Sequence, residues 1–246
     1  GSHAARIRHW LFDETLPLWS TKGVDHVHGG FHEALTLHAE PVARDKRMRT
    51  MGRQIYAFGV AHEMGWNGPA LDLIDHGIRF IEKHGRSKNG GWVRTLGVDG
   101  SVSDSAEDAY DHSCILLALA FALKAGHKDA ARLGSETFAF IDRHLSADGG
   151  ASFLETSQGG NPRRSNPHMH LFEAFLAWHK VTGEAAYLAR ATKIANLFAA
   201  RFFDPDTWTL GEYFESDWLP AAGDKGTWTE PGHHFEWASL LVEYGE

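Results

Sequence analysis

At 246 residues, with 43% hydrophobic and 23% charged side chains, the chain has the composition of an ordinary soluble globular protein, long enough for one large domain or two small ones. A formal net charge of −8 and the lack of any long lysine/arginine run exclude a polyanion, so nucleic acid is not an expected partner. The longest apolar run, Cys114 to Leu123, is far too short for a membrane span, and the single cysteine excludes an intrachain disulfide and fits a reducing, cytoplasmic setting.

Residues 1–3, Gly1-Ser2-His3, read as the remnant of an expression tag, and residues 4–246 as a single domain without a low-complexity linker. Ala5–Leu18 is amphipathic at the helical period. The turn Gly29-Gly30-Phe31 follows, then Arg49–Met64, a helical stretch apolar on more sides. After Gly65-Trp66-Asn67-Gly68-Pro69 comes Ala70–His84. There Leu71, Ile74, Ile78 and Ile81, with Asp72, Asp75 and Arg79 between them, predict one buried and one wet face. Gly90-Gly91-Trp92 opens a short alternating run to Leu96 that predicts small hairpin strands. Asp111–Leu123 has no polar face along Ile115–Leu123 and must be buried all round; Cys114 within it reads as core. The order then repeats. Asp129–Leu145 is amphipathic, Asp148-Gly149-Gly150 turns, and His168–Val181 is more apolar. Ala185–Phe202 is amphipathic, Leu210-Gly211-Glu212-Tyr213 turns, and His233–Tyr244 is more apolar.

Counted from the second glycine of each turn, positions 30, 91, 150 and 211 recur at steps of 61, 59 and 61 residues. A fixed period of this size signals stacked supersecondary units. The unit is an outer helix, a glycine-rich hairpin and an inner helix, so the expected fold is all-α, an (α/α)6 toroid with short β-hairpins in its loops. Six such hairpins need roughly 360 residues. The chain supplies four, from which the C-terminal part of the barrel is expected to be missing or to come from another chain; a homodimer is one such arrangement.

A second series, Arg53, His112, His170 and His233, runs at steps of 59, 58 and 63. Four such side chains near the starts of the inner helices are expected to converge on one end of the assembly, as an active site. The positive end of a helix favours neutral imidazole, the form that takes up a proton. His233 and Glu236 stand three apart on one helical face, so Glu236 is expected to orient His233. His168 and His170, two apart, are expected to point differently. Each histidine also has a plainer reading as a core residue with one satisfied hydrogen bond, and Arg53 as an interhelical ion pair. No His-Glu-x-x-His and no cysteine pair is present, so no metal or other cofactor is expected. Asp108, Asp111, Glu173 and Glu236 are the carboxylates available to an alternative glycoside hydrolase, which needs two of them across a cleft. A non-catalytic sugar-binding fragment is a further alternative.

Several segments together resemble the N-acylglucosamine 2-epimerase family: Gly29-Gly30-Phe31-x-Glu33, Arg53-Gln54-Ile55-Tyr56, Tyr110-Asp111-His112, Asn166-Pro167-His168-Met169-His170-Leu171-x-Glu173-Ala174 and Gly232-His233-His234-Phe235-Glu236-Trp237. The resemblance implies an (α/α)6 barrel and a metal-free sugar isomerase or 2-epimerase acting through an enediolate. By motif, Arg53 is similar to the arginine that holds substrate oxygens near the reacting carbons. His233 is similar to one of two proton-handling histidines and Glu236 to its partner. Tyr110 resembles a pocket tyrosine, and Asn166 and His170 resemble polar residues that contact the sugar. His168 and His112 join the substrate-binding candidates. The family's other proton-handling histidine lies in later inner helices, past Glu246. The implied partner is a small unphosphorylated sugar of the mannose or glucose type.

Overall fold

A helix that is apolar on every side has to be covered on every side. The computed structural model describes residues 2–246 and does this with helices in two layers. The inner layer is α3 (Met48–Glu63), α5 (Ala109–Lys124), α7 (Ser165–Thr182) and α9 (Pro231–Gly245), each packed beside the next. The outer layer comprises α1 (His3–His9) with α2 (Leu16–Thr21), α4 (Ala70–His84), α6 (Ala130–Phe140) and α8 (Ala185–Leu197). Helix α4 packs on α3, α6 on α5 and α8 on α7. Helix α5 touches an inner neighbour on each flank and α6 behind, and its residues from Ala109 to Ala120 are buried apart from the half-buried Tyr110. On α4 the buried stripe is Leu73, Ile74, Gly77, Ile78, Phe80 and Ile81. Leu71, expected on that stripe, is half exposed, because the helix turns it away from α3. A wide π turn links α1 to α2 (Trp10–Thr15) and prolongs α6 (Ile141–Leu145) and α8 (Phe198–Phe202).

The connections are tied by strands of two or three residues. They are β1 (Lys46–Arg47), β2 (Thr95–Leu96), β3 (Val102–Asp104), β4 (Ser146–Ala147), β5 (Ser152–Phe153), β6 (Arg163–Arg164), β7 (Phe203–Asp204), β8 (Thr209–Leu210) and β9 (Tyr213–Phe214). All pairings are antiparallel. The order β1-β2-β3 forms one small sheet, and β4–β5, β6–β9 and β7–β8 are isolated pairs. Strand β6 meets β9 with Arg163 opposite Phe214, which joins the approaches to α7 and α9. No helix among the described residues is long and apolar enough to cross a membrane.

Each inner helix begins one to three residues before its sequence-expected start. At α5 the reason is a cap: the Asp108 carboxylate accepts from Tyr110 N (2.9 Å) and Asp111 N (3.3 Å). In α7, Pro167 lies in the first turn, where its missing N–H costs no helical hydrogen bond.

The α3–α5 contact depends on Gly52. A Cβ there would stand 2.9 Å from the backbone carbonyl of Cys114, inside contact distance and against backbone. Gly52→Ala is therefore expected to destabilise the fold by about 1–3 kcal/mol, read from the urea midpoint, because the helices must separate.

Candidate active site

Counting along each inner helix from its first residue aligns the repeats better than the sequence alone. The fourth residues are Met51, His112, His168 and His234. The three histidines make the same two bonds. Nε2 accepts the backbone N–H of Trp92 (3.0 Å), Phe153 (3.0 Å) or Leu210 (3.1 Å). Nδ1 then donates to the carbonyl four residues back, of Asp108 (2.8 Å), Arg164 (2.9 Å) or Glu230 (2.9 Å). Each ring clamps the chain after a glycine-rich turn onto the inner helix that follows. His112 and His168 are fully buried. Burial pushes their pKa down, to about 4 and about 3, so both are neutral at physiological pH. With both ring nitrogens spent on backbone, neither is available to a ligand. His112 and His168 are thus structural staples, which corrects their expected place among the substrate contacts.

The sixth residues are Arg53, Cys114, His170 and Glu236. These four converge. With Tyr56, Ser113, Leu117 and Glu173 they line a cavity of about 350 Å³ between the inner helices. The expected series of Arg53, His112, His170 and His233 mixed three helical positions. Two of its members reach the cavity, while Cys114 and Glu236 hold the positions assigned to His112 and His233. Cys114 is core, as expected, but it is also cavity wall, and burial raises its thiol to about 11, so it is not a thiolate.

Inside the cavity His170 stands between two carboxylates. Its Nδ1 is 3.1 Å from Glu173 Oε2 and its Nε2 is 3.9 Å from Glu236 Oε2. One turn toward the helix starts, the second residues are Arg49, Tyr110, Asn166 and Gly232. Tyr110 OH accepts a hydrogen bond from Arg53 Nη2, and its ring meets His170 edge-on at 5.0 Å between centroids. Tyr110 thereby fixes both the cation and the imidazole. Asn166 is half-buried, and its Oδ1 has no protein partner. A buried carbonyl left unpaired is an acceptor available to a ligand hydroxyl or an ordered water. A second cavity of about 400 Å³ lies on the other side of Arg53, under the π turn Trp10–Thr15 and α2. The other charged groups on its wall, Glu33 and Arg47, are paired with each other, so it offers less chemistry.

His233 sits in the first turn of α9, and its partner is not Glu236. Nδ1 lies 3.0 Å from both carboxylate oxygens of Glu212, at the end of the fourth glycine turn. Glu236, one turn along, faces His170 instead. The bond to Glu212 raises the His233 pKa above its ordinary value, with burial opposing. Glu212, Tyr56 and Cys114 are site residues that the sequence reading did not assign. The phase of Cys114 with Arg53 and the short Gly211-Glu212 spacing were the available signals. Among the described residues no three His, Cys, Asp or Glu side chains group closely enough to hold a metal ion.

Residues 29–246 match the profile of the N-acylglucosamine 2-epimerase (GlcNAc 2-epimerase) family. A mannose-6-phosphate isomerase of Rhizobium meliloti (strain 1021) is 36% identical over 99% of this chain and 64% of its own length. A D-mannose isomerase of Thermobifida fusca is 34% identical over 77% of this chain and 50% of its own. The structure of a cellobiose 2-epimerase from Spirochaeta thermophila superposes with a TM-score of 0.88 at 23% identity, covering 98% of this chain and 62% of that one. The chain thus spans between half and two thirds of these proteins, and it shares their barrel architecture.

Proposed function

The chain belongs to the N-acylglucosamine 2-epimerase family, and from that premise we propose that its protein interconverts an unphosphorylated mannose- or glucose-type aldose with its ketose or C2 epimer. The observation that carries this reading is the convergence of Arg53, His170 and Glu236, from three different repeats, on one cavity. In the proposed reaction the sugar ring opens and the C1 carbonyl acidifies the C2 hydrogen. His233, one helical turn from the cavity-lining Glu236 on α9, takes that proton, the C2–H electron pair becomes the C1–C2 double bond, and the carbonyl π pair moves to O1. Arg53, held by Tyr110, lies ready to meet the negative charge on O1. His170 and Glu236 handle the hydroxyl protons, and Asn166 accepts a sugar hydroxyl. Proton return to C1 gives the ketose, and return to C2 from the opposite face gives the epimer. In this reading the enzyme needs no metal, because Arg53 supplies the positive charge, and it works in the cytoplasm.

The charge of the cavity favours a neutral sugar over a phosphorylated one. Arg53 is its one guanidinium, Glu173 and Glu236 are its carboxylates, and no lysine lines it. A phosphate would meet two acids for one cation. Turnover of D-mannose is therefore expected to exceed that of D-mannose 6-phosphate by at least 10-fold in kcat/KM, followed as fructose or fructose 6-phosphate formed. The reverse preference would sink this assignment. The hydrolase alternative is less well supported, since Glu173 and Glu236 both face one imidazole, His170, rather than each other across a gap.

A further inference from the structure

The residue that serves His233 emerges from comparing the four repeats. Two residues beyond each position clamped by a staple histidine (Trp92, Phe153, Leu210) stand Arg94, Glu155 and Glu212. In the first repeat Glu33 has the matching place. The residue immediately before each inner helix is Arg47, Asp108, Arg164 or Glu230. Three repeats join these two places by an ion pair: Glu33 with Arg47, Arg94 with Asp108, and Glu155 with Arg164. The second repeat has exchanged the signs and kept the pair. In the fourth repeat the places hold Glu212 and Glu230, two acids, and no pair can form. Glu212, 7% exposed, turns instead to His233 Nδ1 (3.0 Å) and accepts from Ser165 Oγ (3.3 Å). The first repeat bonds in a related way, with Thr50 Oγ1, in the same third helical position as His233, donating to Glu33.

We propose that Glu212 is the positioning residue of His233: it holds the imidazole proton on Nδ1 and so leaves the Nε2 lone pair as the base that takes the sugar proton. The inference rests on the reading under Proposed function. A carboxylate that lost its structural cation has acquired a catalytic imidazole as partner, with no change in the backbone plan of the repeat. The charged groups around His233 are Glu212 from the preceding turn, Glu230 just before its helix and Glu236 on it, all acids. All three favour imidazolium, but Glu212 alone bonds the ring.

The test is ¹⁵N NMR of the His233 ring in the intact protein, combined with C2–H exchange of D-mannose in D2O. In the wild type, neutral His233 is expected to be almost wholly the Nδ1–H tautomer. Glu212→Gln keeps an acceptor and removes the charge, so the His233 pKa is expected to fall while the tautomer persists. The acid limb of the exchange profile should move down with it. Glu212→Ala removes the acceptor, so Nε2–H should appear and kcat for exchange should fall about 10–100-fold, with KM little changed. Glu212→Asp should recover part of that loss, and Glu236→Gln should leave the tautomer alone. An unchanged His233 tautomer in a folded Glu212→Ala variant would overturn the proposal, as would an equal change in Glu236→Gln. A wild type with the Nδ1–H tautomer but no exchange would instead overturn the functional reading, and with it the base role of His233.

Discussion

Between about pH 6.5 and pH 4.5 the stability gap between the wild-type protein and a His168→Gln variant is expected to shrink by about 2–3 kcal/mol. His168 is held neutral in the fold, with a pKa near 3, by complete burial. In the unfolded chain it titrates near pH 6.5. Below that pH the unfolded state binds a proton that the native state refuses, so the wild type loses about 1.4 kcal/mol per pH unit through this residue. The loss begins as the pH falls through the unfolded value and ends only near the folded one. Gln offers Oε1 to Phe153 N–H and an amide N–H to the Arg164 carbonyl, but binds no proton in either state. The variant starts out less stable at neutral pH and falls more slowly. The difference is the quantity to measure, because burial and Asp108 raise the Asp111 carboxyl to about 7, and that group titrates in the same window with the opposite sign. Urea midpoints for both proteins at several pH values give the answer, and a constant gap would mean that His168 is not the neutral staple described. His112→Gln should behave similarly with a smaller change, since burial lowers His112 only to about 4.

Replacing Arg53 by Ala is expected to lower kcat for proton exchange at the sugar C2 by about 10²–10³-fold, the usual cost of removing a group aimed at a developing oxyanion. Arg53 lines the cavity in phase with His170 and Glu236, and Tyr110 fixes its guanidinium. Tyr110→Phe should therefore cost less, about 10-fold, by letting the cation wander. Arg53→Lys keeps the charge but not the two-pronged geometry, and should recover only part of the rate. Thermal unfolding of each variant separates these effects from damage to the fold. An Arg53→Ala protein that is folded and fully active would remove the arginine from the mechanism.

The repeat was legible because it is written in backbone requirements. Gly29, Gly30, Gly90, Gly149 and Gly150 occupy positive φ, which L side chains rarely adopt, and a Cβ at Gly91 or Gly211 would stand 2.7 Å from a packed ring, so the turns recur visibly in the sequence. The inner helices were legible as well, since residues such as Leu116 to Ala120 cannot be left wet. The exact helical phase was not. The repeats differ in length between turn and helix, and a start misjudged by two or three residues rotates every later side chain by more than half a turn. That is why the sequence groups His112 and His233 with Arg53 and His170, while Cys114 beside them reads only as core. Histidine is also ambiguous as a letter. In His168-Met169-His170 one ring is a backbone staple and the next faces the cavity, and only the hydrogen-bond partners tell them apart. The pairing of His233 with Glu212 spans β9 and a long loop, and no local spacing announces it.

The most direct measurement is the fate of the C2 proton of D-mannose in D2O, followed by ¹H NMR in the presence of this chain. Enolisation is only the first half of the proposed reaction, and it needs a base and an oxyanion partner, both of which lie within residues 53–236. The expected result is protein-dependent loss of the C2–H signal, abolished in His233→Gln and strongly reduced in Arg53→Ala. Absence of exchange with mannose and with glucose across the neutral pH range, or exchange that persists unchanged in both variants, would contradict the assignment of this cavity as a sugar isomerase or epimerase site.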